Sequence, residues 1–372
     1  MGQSSVLVVA FLLALSSAPA VRAESVRVAI ADNRSTVTVR SAEGLTVAGG
    51  PADRRATAMT ITGSSLGRSP LRLHSRGAFI EVNGTSYRGN LEIRRRSNGR
   101  LLVINELDLE DYLKGVVAAE IPSDWEMEAL KAQAVASRTY ALRQKRTAGR
   151  RPYHVLATVD SQVYVGVRGE RPRALQALEK TRGEVLLHRG EPIQAFYHAS
   201  CGGRTEDAAE LWGIDAPYLR GVDCGCQEIS SYGTWERRFS IPDILRVLHR
   251  EGYRLQTIDG VEAGTITAGG RVMDVRFRQA RSMLSVPAES LRNLLGPSRV
   301  PSIFFEPGLD GRDVVLSGRG LGHGVGLCQW GAKEMAGRGY DYRAILAHYY
   351  PGSAIGRAGP SRICLTMSAG ER

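Results

Sequence analysis

The hydrophobic pattern changes its period at Asp108, and this change restricts the folds that the chain can adopt. Residues 25–30 and 36–40 alternate between apolar and polar side chains, which is the pattern of half-buried strands. Asn-Gly pairs at 83–84 and 98–99 lie between further extended segments and predict tight hairpins. Residues 24–104 are therefore predicted to be rich in β-structure.

After Asp108 the apolar residues recur with the period of an amphipathic helix, and Asp108 is the predicted N-cap. Pro122 ends this helix, and Ser123 with Glu126 forms a capping-box pattern for a second helix that runs to about Lys145. The stripe of the first helix consists of Leu109, Tyr112, Leu113, Val116 and Val117. We therefore predict an α+β fold with a β-rich N-terminal region, a central helix pair and a mixed α/β remainder that ends in a glycine-rich motif.

The N-terminus predicts export. Residues 6–15 form an apolar run that is too short to span a bilayer comfortably, and residues 21–23 resemble a signal-peptide cleavage site. No Lys or Arg precedes the run, so an uncleaved anchor stays open as an alternative. No later segment has the roughly 18 continuous apolar residues of a spanning helix. We expect an exported protein of the periplasm, cell wall or extracellular space, with no membrane span after cleavage.

Glu120 continues the apolar stripe at the C-terminal end of the first helix. A carboxylate on a buried face costs free energy unless it is paired or protonated, and the helix dipole disfavours negative charge there. Both effects raise the pKa of Glu120, which suits a general acid. The alternative is a buried ion pair, for which Lys131 and Arg138 on one face of the second helix are candidate cations.

Two further segments combine glycine with polar side chains. Residues 194–206 form an extended segment that includes His198 and enters a Gly-Gly turn rich in polar side chains. This group is a candidate functional site, and a polar turn with one core histidine stays open as the alternative. Residues 318–326 have glycine at every second position, which brings the backbone close to another group. Their spacing does not match the dinucleotide-binding pattern, and no phosphate-binding loop is present.

The chain carries a net charge of +11, which favours an anionic partner. Nucleic acid, a membrane surface and an acidic polymer all satisfy this condition. Export and the lack of an alternating aromatic and basic surface argue against nucleic acid. The charge therefore favours an acidic polymer outside the cytoplasm.

Four blocks of the sequence resemble the motifs of the stage II sporulation protein D family (SpoIID/LytB). The blocks occur in the order found in that family, and the resemblance covers roughly residues 26–356. They are LEDYLKGVVAAEIPSDWEMEALKAQAVASRTYAL at 109–142, DSQVYVG at 160–166, AFYHASCGGRTEDAAELWG at 195–213 and GRGLGHGVGLCQWGA at 318–332.

The resemblance implies an exported peptidoglycan lytic transglycosylase that cuts denuded glycan strands in cell-wall remodelling or sporulation. Its catalytic glutamate corresponds to Glu120, with supporting residues at Lys131, Gln133 and Arg138. Substrate-binding roles are implied for these three supporting residues and for Asp160, Gln162, Tyr197, His198, Ser200, His323 and Gln329.

In this chemistry one acid is sufficient. Glu120 protonates the glycosidic oxygen between N-acetylmuramic acid and N-acetylglucosamine, then removes the proton of the muramic acid 6-hydroxyl and so closes a 1,6-anhydro ring. Asp160 and Glu206 stay open as second carboxylates, and no cofactor is required. The competing interpretation is a non-catalytic, LytB-like glycan binder that stimulates an autolysin amidase.

The cysteines depart from the family pattern. There are five of them, an odd number, so at least one is a free thiol or a metal ligand. Cys201 either forms a disulfide with Cys224 or Cys226, or these three bind a structural zinc together with His198. We favour the disulfide because the Cys-x-Cys spacing is tight.

Together these observations predict four parts of the chain. They are a signal peptide at 1–23, a β-rich part of the SpoIID domain at 24–104, the catalytic region at 105–356 and a C-terminal tail at 357–372.

The net positive charge leads to a prediction about wall binding. Attraction between exposed charges is screened over about 8 Å at physiological ionic strength. We expect the protein to sediment with insoluble cell wall less efficiently as salt is raised. Equal sedimentation at low and high salt would contradict a role for its charge.

Overall fold

The computed structural model describes residues 24–48, 56–67 and 69–357. The predicted signal peptide at 1–23 and the predicted tail after residue 357, which includes Cys364, lie outside the described residues. Within them, the chain has the predicted α+β fold with a β-rich N-terminal region.

The N-terminal region forms most of a nine-stranded sheet. Its strands are β1 (Ser25–Arg34), β2 (Thr36–Val47), β3 (Ala56–Thr62), β4 (Leu71–Ser75), β5 (Ile80–Val82), β6 (Thr85–Tyr87), β7 (Asn90–Arg95), β8 (Leu101–Asp108) and β9 (Val155–Leu156). The strand order is β6-β5-β2-β4-β7-β8-β1-β9, and β3 pairs with β2 outside this path. All pairs are antiparallel except that of β1 with β9. Both predicted Asn-Gly hairpins are present, at the β5–β6 and β7–β8 connections.

The first predicted helix is divided into α1 (Leu109–Lys114) and α2 (Val117–Glu120). The break occurs at Gly115, where a Cβ atom would lie 2.6 Å from the ring of Tyr164. The Gly115 carbonyl accepts the N–H of Val165 at 3.3 Å. The segment that carries the second motif block therefore packs against the break and aligns with the end of α2.

The second predicted helix is α3 (Met127–Thr147), and it begins later than the capping-box pattern predicts. Arg173 donates hydrogen bonds to the carbonyls of Ser123 (3.0 Å) and Trp125 (2.8 Å). Trp125 also packs against Trp330, with ring centroids 5.1 Å apart. These tertiary contacts hold residues 123–126 in a turn, so the capping box predicted there is wrong.

Helix α3 is buried on every side. All residues from Ala132 to Leu142 are buried. Ala134 and Ala141 pack into the core of the main sheet, while Ala132 and Ala136 pack into a second core. Because a helix that is buried all round must be surrounded by protein, α3 forms the centre of the fold.

The remaining elements cover the other side of α3 and add a third core. They are α4 (Pro172–Lys180), β10 (Glu184–His188), β11 (Glu191–Pro192), β12 (Tyr197–His198), α5 (Ala208–Trp212), β13 (Trp235–Ser240), α6 (Ile241–Arg250), β14 (Gly260–Ala263), β15 (Asp274–Gln279), β16 (Ser282–Pro287), α7 (Ala288–Leu295), β17 (Phe305–Asp310), β18 (Asp313–Gly318), β19 (Leu327–Cys328), α8 (Gln329–Gly337), α9 (Tyr342–Tyr349) and β20 (Ala354–Arg357), with 3-10 turns at Gly166–Gly169 and Pro217–Leu219. Two three-stranded sheets, β13-β18-β17 and β14-β15-β16, contribute buried apolar side chains to the third core together with α6 and α7. In the part of the chain that is described, no helix combines the length and apolarity needed to cross a membrane.

Arg138 joins α3 to its neighbours. Its side chain is almost fully buried, and its Nε and Nη2 donate to the two carboxylate oxygens of Glu110 on α1, at 2.7 and 2.8 Å. Its Nη1 donates to the carbonyl of Glu184 on β10 at 3.1 Å. The guanidinium therefore links three elements, and in this structure it is engaged by protein groups.

We expect Arg138→Ala to lower the free energy of unfolding by about 3–5 kcal/mol, because it leaves the Glu110 carboxylate without its cation. Urea unfolding measures the change. Arg182→Ala, which removes an exposed ion pair with Glu179, is the control and should leave stability unchanged within error. An Arg138→Ala protein that unfolds like the wild type but loses glycan binding would return this residue to a substrate-binding role.

Candidate active site

The residues around Glu120 come from three of the four motif blocks. Glu120 is the last residue of α2 and is half-buried. The backbone N–H of Val163 donates to its Oε1 at 2.6 Å, and the hydroxyl of Tyr197 also hydrogen-bonds to the carboxyl group. Two donors from different segments thus hold one carboxyl group in a fixed position.

A chain of hydrogen bonds orients Tyr197. The hydroxyl of Tyr112 donates to Gln162 Oε1 at 3.1 Å, and Gln162 Nε2 donates to the hydroxyl of Tyr197 at 3.1 Å. Gln162 Nε2 also contacts the carbonyl of Ser137 at 3.2 Å. Because the Tyr197 oxygen accepts from Gln162, its own proton is available to donate to Glu120. Gln162 is fully buried and acts through Tyr197.

Burial raises the pKa of Glu120 to about 7, and the hydrogen bonds from Val163 and Tyr197 act in the opposite direction. The direction agrees with the apolar stripe on which Glu120 lies. The cause is burial, since α2 has only four residues and its dipole is correspondingly small. A carboxyl group with this pKa exchanges its proton readily near neutral pH.

The cations considered as partners of Glu120 have other partners. Arg138 binds Glu110, as described above, and Lys131 Nζ donates to Glu128 Oε1 at 2.7 Å. Lys131 also lies over the ring of Tyr342, 4.4 Å from its centroid. Among the described residues, no ion pair to Glu120 is present, so the alternative of a buried pair with these two cations is wrong.

The second carboxylates considered from the sequence are separate from Glu120. Asp160 is exposed and accepts a hydrogen bond from Thr158 at 3.0 Å. Glu206 is buried in an ion pair with Arg271, at 3.3 Å, and also accepts from the hydroxyl of Thr267 at 2.7 Å. Glu206 therefore connects its own motif block to the third core.

Two further predicted residues are structural links beneath the site. Gln133 on α3 and Gln329 on α8 are both buried, and Gln329 Nε2 donates to Gln133 Oε1 at 3.3 Å. Gln133 Nε2 donates to Ser137 at 3.0 Å. Ser200 is fully buried and has its hydroxyl 3.7 Å from Cys226 Sγ. These amides connect helices, and Ser200 faces the cysteines.

The two histidines lie beside Tyr197 and are neutral. His323 Nε2 donates to the Tyr197 carbonyl at 3.0 Å, and its Nδ1 accepts the N–H of Val325. Burial lowers the pKa of His323 to about 4 and lowers the pKa of His198 as well. The ring of His323 packs 5.0 Å from that of Trp212, which is exposed. An accessible aromatic ring thus adjoins the site.

The glycine-rich segment fits against the block that contains the Gly-Gly turn. A Cβ on Gly326 would lie 2.1 Å from the carbonyl oxygen of Phe196, and one on Gly324 would lie 1.9 Å from Arg271 Nη2. Both glycines also have positive φ angles. The alternate glycines predict that this backbone lies close to another group. In the structure that group is a neighbouring segment of the same protein.

Four cysteines form one cluster. The Sγ atoms of Cys201, Cys224, Cys226 and Cys328 all lie within 4.8 Å of one another. The favoured disulfide is not present among the described cysteines, and the Sγ atoms of Cys201 and Cys226 are 3.4 Å apart. His198 contributes no atom to this cluster. Its Nδ1 donates to the Val325 carbonyl at 3.2 Å, and its ring packs against that of His323.

Sequence reasoning does not assign three contributors to these sites. The N–H of Val163 is a backbone donor and has no signature in the sequence. The apolar pattern assigns Tyr112 to the core, although it lies eight residues before Glu120 on the same stripe. Cys328 stands out in the sequence only as a departure from the family pattern, although it lies in the same motif block as His323. The apolar stripe shared with Glu120 was the available signal for Tyr112, and the motif block shared with His323 was the available signal for Cys328.

Comparison with known proteins agrees with this arrangement. Residues 97–188 match the SpoIID family profile, described as "Stage II sporulation protein". An uncharacterized protein of Brachyspira hyodysenteriae is 35% identical over 278 residues, which cover 74% of this chain and 73% of that protein. The amidase enhancer of Bacillus subtilis is 30% identical over 288 residues, which cover 65% of this chain and 40% of that protein. Stage II sporulation protein D of Bacillus amyloliquefaciens is 29% identical over 270 residues, which cover 68% of this chain and 76% of that protein.

The chain belongs to the SpoIID family.

The raised pKa of Glu120 makes a prediction about stability and pH. An unfolded glutamate has a pKa of about 4.3, so between this value and pH 7 the folded chain binds more protons than the unfolded chain. The carboxyl group's contribution to stability is complete below about pH 4 and is lost as pH rises to 7. Glu120→Gln removes this dependence, so the variant should gain up to about 3 kcal/mol relative to the wild type between about pH 4.5 and 8.

Denaturant unfolding at the two pH values measures this gain. Glu179→Gln changes an exposed glutamate and should show no comparable gain. A constant difference between Glu120→Gln and the wild type across this range would contradict the raised pKa.

Proposed function

We propose that this protein is a peptidoglycan lytic transglycosylase and that Glu120 is its acid and base. The observation that carries the proposal is a half-buried carboxyl group with a pKa of about 7, held by Val163 and Tyr197 in a network built from the family motifs. A general acid is most effective when its pKa lies near the working pH.

The hydrogen bonds suit both halves of the reaction. Protonated Glu120 gives its proton to the glycosidic oxygen that links C1 of the muramic acid to the next sugar. The bond between C1 and this oxygen then breaks, and the next sugar leaves with the proton on its new hydroxyl group. The resulting carboxylate is stabilised by the two donors, the Val163 N–H and the Tyr197 hydroxyl. It then takes the proton of the muramic acid 6-hydroxyl, whose oxygen bonds to C1 and closes the 1,6-anhydro ring. The carboxyl group ends the cycle protonated, as it began.

A single carboxyl group is sufficient for this sequence of steps. Glycosidases that use water need a second carboxylate at a defined distance, whereas the internal 6-hydroxyl needs none. Glu206 is engaged with Arg271 and Asp160 is exposed, so neither is held against Glu120. This agrees better with ring closure than with hydrolysis.

The surroundings of the site suit a sugar chain. Trp212 exposes its ring beside His323, and aromatic rings stack on the apolar faces of sugars. The neutral histidines leave the carboxyl group free of a competing cation. The chain's net charge of +11 suits an anionic wall polymer. The proposal places the protein outside the cytoplasm, where such a polymer lies.

A second candidate function comes from one relative. That relative is an amidase enhancer, so a role in stimulating a cell-wall amidase is the alternative. A glycan binder of this kind has no need of a carboxyl group whose proton is available near neutral pH. The geometry around Glu120 therefore favours the enzyme.

Glu120→Gln tests the proposal. Gln keeps the size of the side chain and its carbonyl acceptor for Val163, but it has no proton to transfer. We expect turnover of purified denuded glycan to fall by ~10²–10⁴, since this is the usual cost of losing a general acid. Mass spectrometry of the products should show 1,6-anhydro-muramyl ends with the wild type.

The control is Glu179→Gln, which changes an exposed side chain of α4 and should retain wild-type turnover. Thermal melts verify that both variants are folded. Wild-type turnover from Glu120→Gln would remove this residue from the mechanism. A wild-type protein that releases no anhydro ends, yet accelerates a cell-wall amidase, would support the alternative.

A further inference from the structure

The four clustered cysteines have the arrangement of a metal site. They come from three separate segments: Cys201 follows β12, Cys224 and Cys226 lie in the loop before β13, and Cys328 precedes α8. All four Sγ atoms lie within 4.8 Å of one another, and Cys201, Cys226 and Cys328 are fully buried. We propose that they bind one structural zinc ion through four thiolate ligands.

The distances between the sulfur atoms favour this assignment. Zn–S bonds of about 2.3 Å in a tetrahedron place the sulfur atoms about 3.8 Å apart. The Sγ atoms of Cys201 and Cys226 are 3.4 Å apart, close to this value and far from the roughly 2.0 Å of a disulfide. The Cys-x-Cys spacing is compatible with the site because both of its sulfur atoms reach the same cluster.

Donors around the cluster suit thiolates. The N–H groups of Cys201 and Gly331 donate to Cys328 Sγ at 3.4 and 3.3 Å. Cys328 caps the N-terminus of α8, where the helix dipole also favours negative charge. The hydroxyl of Tyr349 lies 3.1 Å from Cys224 Sγ. Such outer hydrogen bonds orient and stabilise thiolate ligands of a metal.

The backbone of α8 approaches the cluster closely at Gly331. A Cβ on Gly331 would lie 2.4 Å from Cys224 Sγ and 1.9 Å from the hydroxyl of Tyr349. The first turn of α8 is therefore pressed against the sulfur atoms. Four soft sulfur ligands in a compact, closed group select zinc or an iron–sulfur cluster, and a single buried tetrahedron suits zinc.

A zinc ion bound by these cysteines would connect the two motif blocks that carry Tyr197 and His323. Cys201 follows the strand that carries Tyr197, and Cys328 ends β19, the strand that pairs with it. His323, which binds the Tyr197 carbonyl, lies five residues before Cys328 in the same block. Zinc therefore acts as a cross-link between two motif blocks.

Metal analysis of the full-length protein, purified without chelator, tests the proposal. We expect about one zinc per chain by elemental analysis. Native and denatured mass spectra should differ by that zinc, and the denatured chain should carry no disulfide among these four cysteines. Cobalt(II) introduced by refolding should give the visible absorption of tetrahedral thiolate coordination. A strong chelator should remove the metal and lower the melting temperature.

Two variants make the assignment specific. Cys224→Ser changes the half-buried ligand and should reduce zinc content and the melting temperature while the chain still folds. Cys364→Ser changes the fifth cysteine and should retain both. His198→Asn should also keep its zinc, since His198 is not one of the four clustered ligands.

Three results would overturn the proposal. They are a protein that contains disulfides among these cysteines and no zinc, one with four free thiols and no bound metal, and one that contains iron in place of zinc. Zinc that is lost equally from Cys364→Ser and Cys224→Ser would overturn the ligand assignment. Because these readouts are metal content, thiol state and melting temperature, they stand whether or not the protein cleaves glycan.

Discussion

Helix α3 is buried on all sides, and the other elements of the fold are positioned by their contacts with it. Its residues face the main sheet on one side and the second core on the other, and alanine is the commonest side chain at these contacts. Short side chains allow close packing against several elements at once. Two polar side chains that α3 buries deeply, Gln133 and Arg138, are therefore used to bind neighbouring elements. Through α3, the sheet and the glycine-rich segments are held in one arrangement.

Glu120 gains its properties from this arrangement. The break at Gly115 admits residues 164–166, and this contact places the N–H of Val163 against the carboxyl group. Tyr197 approaches from a strand that the main sheet does not include. Desolvation raises the pKa of Glu120, and the hydrogen bonds from Val163 and Tyr197 limit the increase. The resulting pKa is about 7. The same burial that positions the group therefore also adjusts its chemistry.

The glycine and cysteine residues of the motif blocks serve one purpose in this structure, which is to hold two segments together. Glycines at 324 and 326 allow backbone to approach at distances that a side chain would prevent. Cys201 and Cys328 lie on adjoining segments, where the N–H of Cys201 donates to Cys328 Sγ. Tyr197 and His323 are in contact because of this close approach. The glycine-rich segment at 318–326 resembles a ligand-binding loop in sequence, but in the structure its residues mainly contact other segments of the same protein.

Features with a local signal could be predicted from the amino-acid sequence before any contact between distant segments was known. The period change at Asp108 indicated the division into sheet and helices, the Asn-Gly pairs indicated both hairpins, and the apolar stripe singled out Glu120. The meeting of distant groups became visible only in the folded chain. Arg138 binds Glu110, 28 residues earlier in the chain, which only folding brings beside it. Lys131 binds Glu128, a local partner one turn earlier on the same helix, and is therefore not available to Glu120.

Two other expectations failed for the same reason. The capping-box pattern at Ser123 is overridden by contacts from Arg173. The favoured disulfide of Cys201 is absent among the described cysteines, and Cys328, which neither cysteine interpretation included, joins the cluster. Spacing along the chain sets the face on which a side chain lies, but the partner on that face is set by how separate elements pack.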